Sequence, residues 1–186
     1  MSTRLGPDIQ SLAGLQALFA GVADEPAIGL AVSGGADSLG LLLLAQRWAA
    51  SLPQPPRLHV YTLDHGLRAE AAAEVAMVLG VARSRGLDGL QEAARLARYR
   101  LIGQAMASDG VGVLLTGHHR KDQAETVLMR LAHGSGLEGL KGMAPMAEIE
   151  GVRVYRPLLD VHPDALAGLV QDAGLRPVAD PSNLDP

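Results

Sequence analysis

The stretch "AVSGGADSLG", residues 31–40, decides how the rest of this chain is read. Two glycines stand between serines, an acid follows, and apolar residues lie on both sides. Upstream, "AIGLAV" (27–32) is a short apolar run that ends in the glycines, which is the pattern of a buried strand. Downstream, "SLGLLLLAQRWAA" (38–50) is long enough for a helix and apolar on nearly all sides. A loop that leaves a strand and enters a helix meets free N–H groups and the positive end of a dipole, and both favour an anion. Gly34 and Gly35 let the backbone come close to it. The cradle therefore runs from Ser33 through Gly34, Gly35, Ala36 and Asp37 to Ser38, with the two hydroxyls as further donors. Asp37 repels an anion unless a cation lies between them, which points to Mg²⁺ held between its carboxylate and phosphate oxygens. The loop is neither a Walker A sequence nor G-x-G-x-x-G. A plain glycine turn with Asp37 or Ser38 as helix cap is the competing account.

Working outward, "IQSLAGLQALFA" (9–20) has helical spacing, "LHVYTL" (58–63) is a second strand, and "VGVLLT" (111–116) a third. "DQAETVLMRLAH" (122–133) and "HPDALAGLVQDAG" (162–174) are helices, and "APMAEIEGVRVYRPLL" is a hairpin with "EG" near its turn. Strands alternating with helices predict a Rossmann-like parallel sheet with helices on both faces. One junction breaks the alternation. Helices are predicted over 69–86 and 90–108, with no strand between them, at "RGLDGLQEAAR" (85–95). Either the fold skips a strand there, or residues are absent from this sequence.

Composition narrows the function. The chain has 186 residues, 48% hydrophobic, enough for a single core. It has no cysteine, which excludes disulfides, thiolate metal sites and cysteine-based sulfur transfer by this chain alone. A net charge of -4 means that any RNA contact is local or supplied by another domain. At 3% aromatic residues, a base-stacking platform is not expected. No apolar run reaches membrane length and "MSTRLGPDIQ" has no signal core, so the expected location is cytoplasmic, without membrane contact.

Three other constellations carry chemistry. "LDHGLR" (63–68) follows the second strand, and strand carboxyl ends line the ligand crevice of open α/β sheets. Asp64, His65 and Arg68 are therefore expected beside the phosphate loop, although a polar turn gives the same pattern. "ARLARYR" (94–100) puts Arg95 and Arg98 on one helix face, where two arginines clamp phosphate or simply face solvent. "TGHHRKDQAET" (116–126) is the most informative. Asp122 and Glu125 share the first turn of a helix, either as a capping box or as an acidic pair for a cationic substrate. His118 and His119 precede them and suit phosphate or metal, although two adjacent histidines are weak evidence for a metal site.

"SGGADS" resembles the PP-loop of the N-type ATP pyrophosphatases, which have an adenine nucleotide alpha hydrolase-like fold and cut ATP between the α and β phosphates. With "LDHGLR", "ARLARYR", "GHHRKDQAETVLMRLAHGSGLEGLKGM", "RPLL" and the terminal "DPSN", in that order from about residue 27 onward, the chain resembles the tRNA(Ile)-lysidine synthase family. The resemblance implies adenylation of C2–O of the wobble cytidine in a tRNA(Ile) with a CAU anticodon, then attack by free L-lysine. It implies ATP and Mg²⁺ as cofactors, with Asp37 on the metal. It places Ser33 to Ser38, Asp64 and His65 at the nucleotide, and Asp122 and Glu125 at the lysine. Arg68, Arg95, Arg98, His118 and His119 are implied at phosphate or tRNA. It also implies one catalytic domain over 1–186, with a core at about 24–160 and residues 161–186 leading toward tRNA-binding domains. A homodimer is compatible with it. The rivals are another PP-loop enzyme with a different acceptor, and an ATP-binding module without catalysis. Lys121 places a cation immediately before the acidic pair.

Overall fold

The apolar run around 27–31 becomes strand β1 (Ala27–Ala31), with every residue but the last buried. A strand buried on both faces carries a continuous apolar sequence, and that is why this one does not alternate. A computed structural model describes residues 7–64, 88–94, 98–132 and 141–178. Among them are the helices α1 (Leu12–Phe19), α2 (Ala36–Ala50), α3 (Arg98–Asp109), α4 (Arg120–Ala132) and α5 (Pro163–Asp172). The remaining strands are β2 (Arg57–Asp64), β3 (Asp88–Ala94), β4 (Leu114–Leu115), β5 (Met146–Ile149) and β6 (Val152–Tyr155).

The six strands lie in the order β3-β2-β1-β4-β6-β5. The pairs from β3 to β6 are parallel, and only the edge strand β5 is antiparallel. The β5–β6 hairpin turns on Glu150 (φ 51) and Gly151 (φ 78). Two successive positive φ values are what a tight right-twisting hairpin requires, as the "EG" signal predicts.

Alternation along each strand sorts the core into two layers. Ile28, Leu30, Leu58, Val60, Val113 and Leu115 face α1, α2 and α5. Ala27, Tyr61, Leu114, Val152 and Val154 face Ile102 and Met106 of α3. The first layer explains why α2 is apolar all round: it lies between the sheet, α1 and α5. Trp48 of α2 stacks on Phe19 at 4.8 Å between ring centroids, and Leu166 and Val170 of α5 are buried in the same layer. The core thus extends beyond 24–160 at both ends, through Leu15 and Phe19 on one side and Leu166 and Val170 on the other.

The junction at 85–95 corrects the sequence expectation. The sheet has its further strand, because β3 is made by "DGLQEAA", of which residues 90–94 were assigned above to a helix. It pairs in parallel with β2, from His59↔Asp88 to Asp64↔Ala94, with a register shift between His59 and Val60. Leu, Gln, Glu and Ala prefer helix locally. The open edge of β2 presents a row of backbone groups that need partners, and that demand overrides a preference of tenths of a kcal/mol per residue. The second helix accordingly starts at Arg98 and not at 90. The predicted helix over 69–86 lies outside the described residues. No helix among the described residues is long and apolar enough to cross a membrane.

Candidate functional site

In the sheet order, β1 leads leftward to β2 while β4 leads rightward to β6. The reversal between β1 and β4 opens a crevice at their carboxyl ends, the usual ligand position of such sheets. The loops leaving these two strands are "SGGAD" and "TGHH", which the sequence singled out separately.

On the β1 side, Gly34 has φ 91, a conformation that glycine adopts without strain. Gly35 is the N-cap of α2, extended and with no side-chain cap bond to the first N–H groups of the helix. Ser38 is buried and works inside the loop: its hydroxyl donates to the Gly35 carbonyl at 3.0 Å and accepts from the Ser33 N–H at 3.2 Å. The two serine oxygens lie 3.3 Å apart. Ser38 therefore holds the loop's shape, whereas Ser33 stands nearer the surface. The Val178 N–H donates to the Gly34 carbonyl at 3.1 Å, so the segment after α5 lies over the loop.

On the β4 side, a Cβ at Gly117 would come within 3.0 Å of the Asp37 carbonyl oxygen and 3.2 Å of the Ser38 nitrogen. Glycine lets the two loops touch there. Thr116 is buried, and its hydroxyl is 2.8 Å from Nδ1 of His118, which orients that ring.

His119 joins the halves. It is 6% exposed, with Nε2 3.3 Å from Oδ1 of Asp37 and Nδ1 3.2 Å from Oδ2 of Asp122. Its ring also caps α4: Nδ1 accepts from the Lys121 N–H at 3.2 Å, while the Asp122 carboxylate accepts from the His119 N–H at 2.8 Å. This is a reciprocal capping box with histidine in the N-cap place. The hydrogen bond to Asp37 holds the imidazole pKa above its ordinary 6.5; burial opposes that, and the charges of Asp37 and Asp122 reinforce it. A neutral ring with the proton on Nε2 caps the helix and bonds Asp37. A charged ring bridges the two acids.

Glu125 stands one turn further along α4. Its Oε1 lies 3.8 Å from Nζ of Lys121, with both side chains more than half exposed. An exposed i, i+4 pair is worth about 0.3–0.5 kcal/mol.

The structure thus brings Ser33, Gly34, Gly35, Ala36, Asp37, Ser38, His118, His119 and Asp122 together where the two loops meet, with Glu125 one turn further along α4. Asp64 ends β2 at the same sheet edge, by its backbone position. Arg98 opens α3. Arg95 lies outside the described residues, as do His65 and Arg68, so the expected pairing of Arg95 with Arg98 lies outside them too.

Three side chains went unnoticed in the sequence. Gln123 of α4 donates to the Met143 carbonyl at 2.9 Å and accepts from the Met143 N–H at 2.6 Å. Arg130 donates to the Gly142 carbonyl at 2.8 Å, and the buried Arg156 to that of Ala144 at 2.8 Å. Together they lace residues 142–144 to α4 and to the end of β6. Each bonds a backbone distant in sequence, and no periodicity marks such a partner.

The comparisons agree with this geometry. The chain is 44% identical to tRNA(Ile)-lysidine synthase of Bradyrhizobium sp. strain BTAi1 over 189 residues, 95% of this chain and 53% of that protein. It is 49% identical to the protein of the same name from Bradyrhizobium diazoefficiens over 181 residues, 90% of this chain and 50% of the relative. The chain therefore spans about half the length of these relatives. Among solved structures, the U34-tRNA thiolase NcsA from Methanococcus maripaludis has the same fold, with a TM-score of 0.75 at 16% identity, over 92% of this chain and 66% of that one. The PP-loop domain description matches residues 8–186. Nearly the whole chain, with its phosphate loop at the sheet's reversal point, belongs to the PP-loop domain family.

Proposed function

We propose that this chain is the ATP-cleaving catalytic domain of an enzyme that ligates lysine to C2 of the wobble cytidine in a tRNA(Ile) with a CAU anticodon. The observation that carries this reading is the Asp37–His119–Asp122 contact, which sets a phosphate loop against an acidic helix start in one crevice. Similarity to relatives named tRNA(Ile)-lysidine synthase supports the choice of acceptor.

ATP binds with its phosphates at the N-terminus of α2. Asp37 would hold Mg²⁺ there. The fit is sound on the donor set: His119 contacts Oδ1, the carboxylate has a second oxygen to offer, and one carboxylate with phosphate oxygens is what Mg²⁺ takes in nucleotide sites. Among the described residues no group of three or more His, Cys, Asp or Glu could hold a metal ion. When bound, Mg²⁺ neutralises charge on the phosphates.

In the first step O2 of the cytidine attacks the α phosphorus, the bond to the bridging oxygen breaks, and pyrophosphate leaves. In the second the lysine ε-nitrogen attacks C2, the C2–O bond breaks, and AMP leaves with that oxygen. Asp122 and Glu125 bind the lysine ammonium, for which an acidic pair is the natural partner. The attacking amine must be neutral, so one of these carboxylates takes its proton. Arg68, Arg95 and Arg98 supply cationic contacts to phosphate or tRNA backbone. With a net charge of -4 this domain has little general attraction for RNA, and we assign most of the tRNA affinity to a region outside these 186 residues. The reaction is cytoplasmic, and a homodimer is compatible with it.

The test is incorporation of labelled lysine into a CAU transcript of tRNA(Ile), with a UAU transcript as control. Incorporation into CAU alone is expected. ATP cleavage to AMP and pyrophosphate without incorporation would retain the PP-loop chemistry and reject the acceptor. ATP binding without cleavage would reduce the chain to a binding module.

A further inference from the structure

We infer that Gln123 is a positioning residue for the amine pocket: its bond to the Met143 backbone sets where helix α4 holds Asp122 and Glu125. That the pocket takes an amine rests on the function proposed above; the positioning rests on geometry.

Among the described residues, helix α4 (Arg120–Ala132) has no buried side chain. Its Leu128 and Leu131 are 64% and 50% exposed. Apolar packing therefore does little to fix its direction, and polar bonds must do so. At its start, the Arg120 N–H donates to the Val161 carbonyl and the Arg120 guanidinium to that of Asp160, both at 3.1 Å. These hold one end, and a helix held at one end can still swing. Gln123 supplies the second fixed point. Its amide donates to the Met143 carbonyl at 2.9 Å and accepts from the Met143 N–H at 2.6 Å. Both sides of one amide are used on the backbone of one residue, so the side chain neither slides nor turns without losing a bond. Arg130 adds a third bond, to the Gly142 carbonyl at 2.8 Å. The segment they grip is itself held to the end of β6. The Arg156 guanidinium donates to the Ala144 carbonyl and the Arg156 N–H to that of Pro145, both at 2.8 Å. The direction of α4 is thus referred to the sheet through this segment, and Asp122 and Glu125, beside Gln123 on the same helix, move with it.

Gly142 belongs to the same arrangement. It has φ 65, and a Cβ there would lie 2.6 Å from Oε1 of Gln123. A methyl group at position 142 would therefore expel the amide.

The experiment is calorimetric titration of the chain with lysine and, separately, with α,β-methylene-ATP and Mg²⁺, a nucleotide that cannot be cut at the α–β bond. Gln123→Met keeps the side chain's length and a similar helix preference, and makes neither hydrogen bond. It is expected to weaken lysine binding about tenfold, the size of two lost hydrogen bonds, and to leave nucleotide binding nearly unchanged. Gly142→Ala is expected to weaken lysine binding to the same extent, with a lower Tm besides, because alanine is strained at a positive φ. The double variant should bind lysine no worse than either single one, since both changes remove one bond. Wild-type lysine affinity in Gln123→Met, or equal loss of lysine and nucleotide, would overturn the positioning role and leave the proposed function standing, and that variant introduces no backbone strain. Additive losses in the double variant would overturn the assignment of both effects to one bond. Absence of lysine binding by the wild type would overturn the amine assignment and the positioning with it.

Discussion

Asp37 lies in the first turn of α2, where the helix dipole favours its charge, on the loop proposed to hold phosphate. Asp37→Asn keeps the size of the side chain and removes the charge. It is expected to lower pyrophosphate release by at least about a hundredfold, since metal-assisted charge neutralisation is worth several kcal/mol. Circular dichroism should be unchanged; normal turnover in this variant would sink the metal bridge. His119 gives a second expectation at this scale. Its folded pKa is raised above 6.5, first by the bond to Asp37. A group raised on folding contributes stability that is fully present below its unfolded pKa and lost as pH rises through the folded one. In the nucleotide-free chain, the difference in Tm between wild type and His119→Asn should therefore be larger at about pH 6 than at about pH 8. A difference that stays constant would mean that the ring acts only as a neutral cap.

Helix α4 shows what an element adds to its residues. Asp122 and Glu125 share a face in the sequence, as a capping box or as a pair for a cation, and the structure separates them. Asp122 takes the cap bond from the His119 N–H, while Glu125 pairs with the exposed Lys121. Glu125→Gln is accordingly expected to raise the KM for lysine about tenfold and leave the KM for ATP nearly unchanged, the size of one hydrogen bond to a charged group. Asp122→Asn should harm both KM values and lower Tm as well, because the cap weakens with it. Equal loss for both substrates in Glu125→Gln would make this acid structural too. The helix was legible from its apolar spacing and its acids. Its true start, two residues earlier, was not, because histidine is seldom read as an N-cap. The lacing of 142–144 by Gln123, Arg130 and Arg156 was equally hidden, since a side chain bound to a distant backbone leaves no pattern in its own neighbourhood.

At the scale of the whole molecule, a parallel sheet makes each strand's identity depend on its neighbours. β1 was legible from "AIGLAV" alone, because burial on both faces writes a continuous apolar run. β3 was not, because "DGLQEAA" is polar and helix-prone, and only the open edge of β2 makes it a strand. The alternation rule nonetheless required a strand at that junction, so topology was the better guide than local preference. The register is testable directly. Leu63 and Ala93 are paired Cα positions, and adjacent strands lie about 4.8 Å apart, within disulfide range. The natural chain has no cysteine, so a Leu63→Cys/Ala93→Cys double variant carries the only two thiols. Mild oxidation should close a disulfide between them, with loss of both free thiols and faster migration on a non-reducing gel. A Leu63→Cys/Arg98→Cys control should stay open, because Arg98 already belongs to α3. If "LQEAA" were the first turn of that helix instead, position 93 would ride with it and the first pair would remain reduced. The sheet would then end at β2, with the unpaired edge that the alternation argues against.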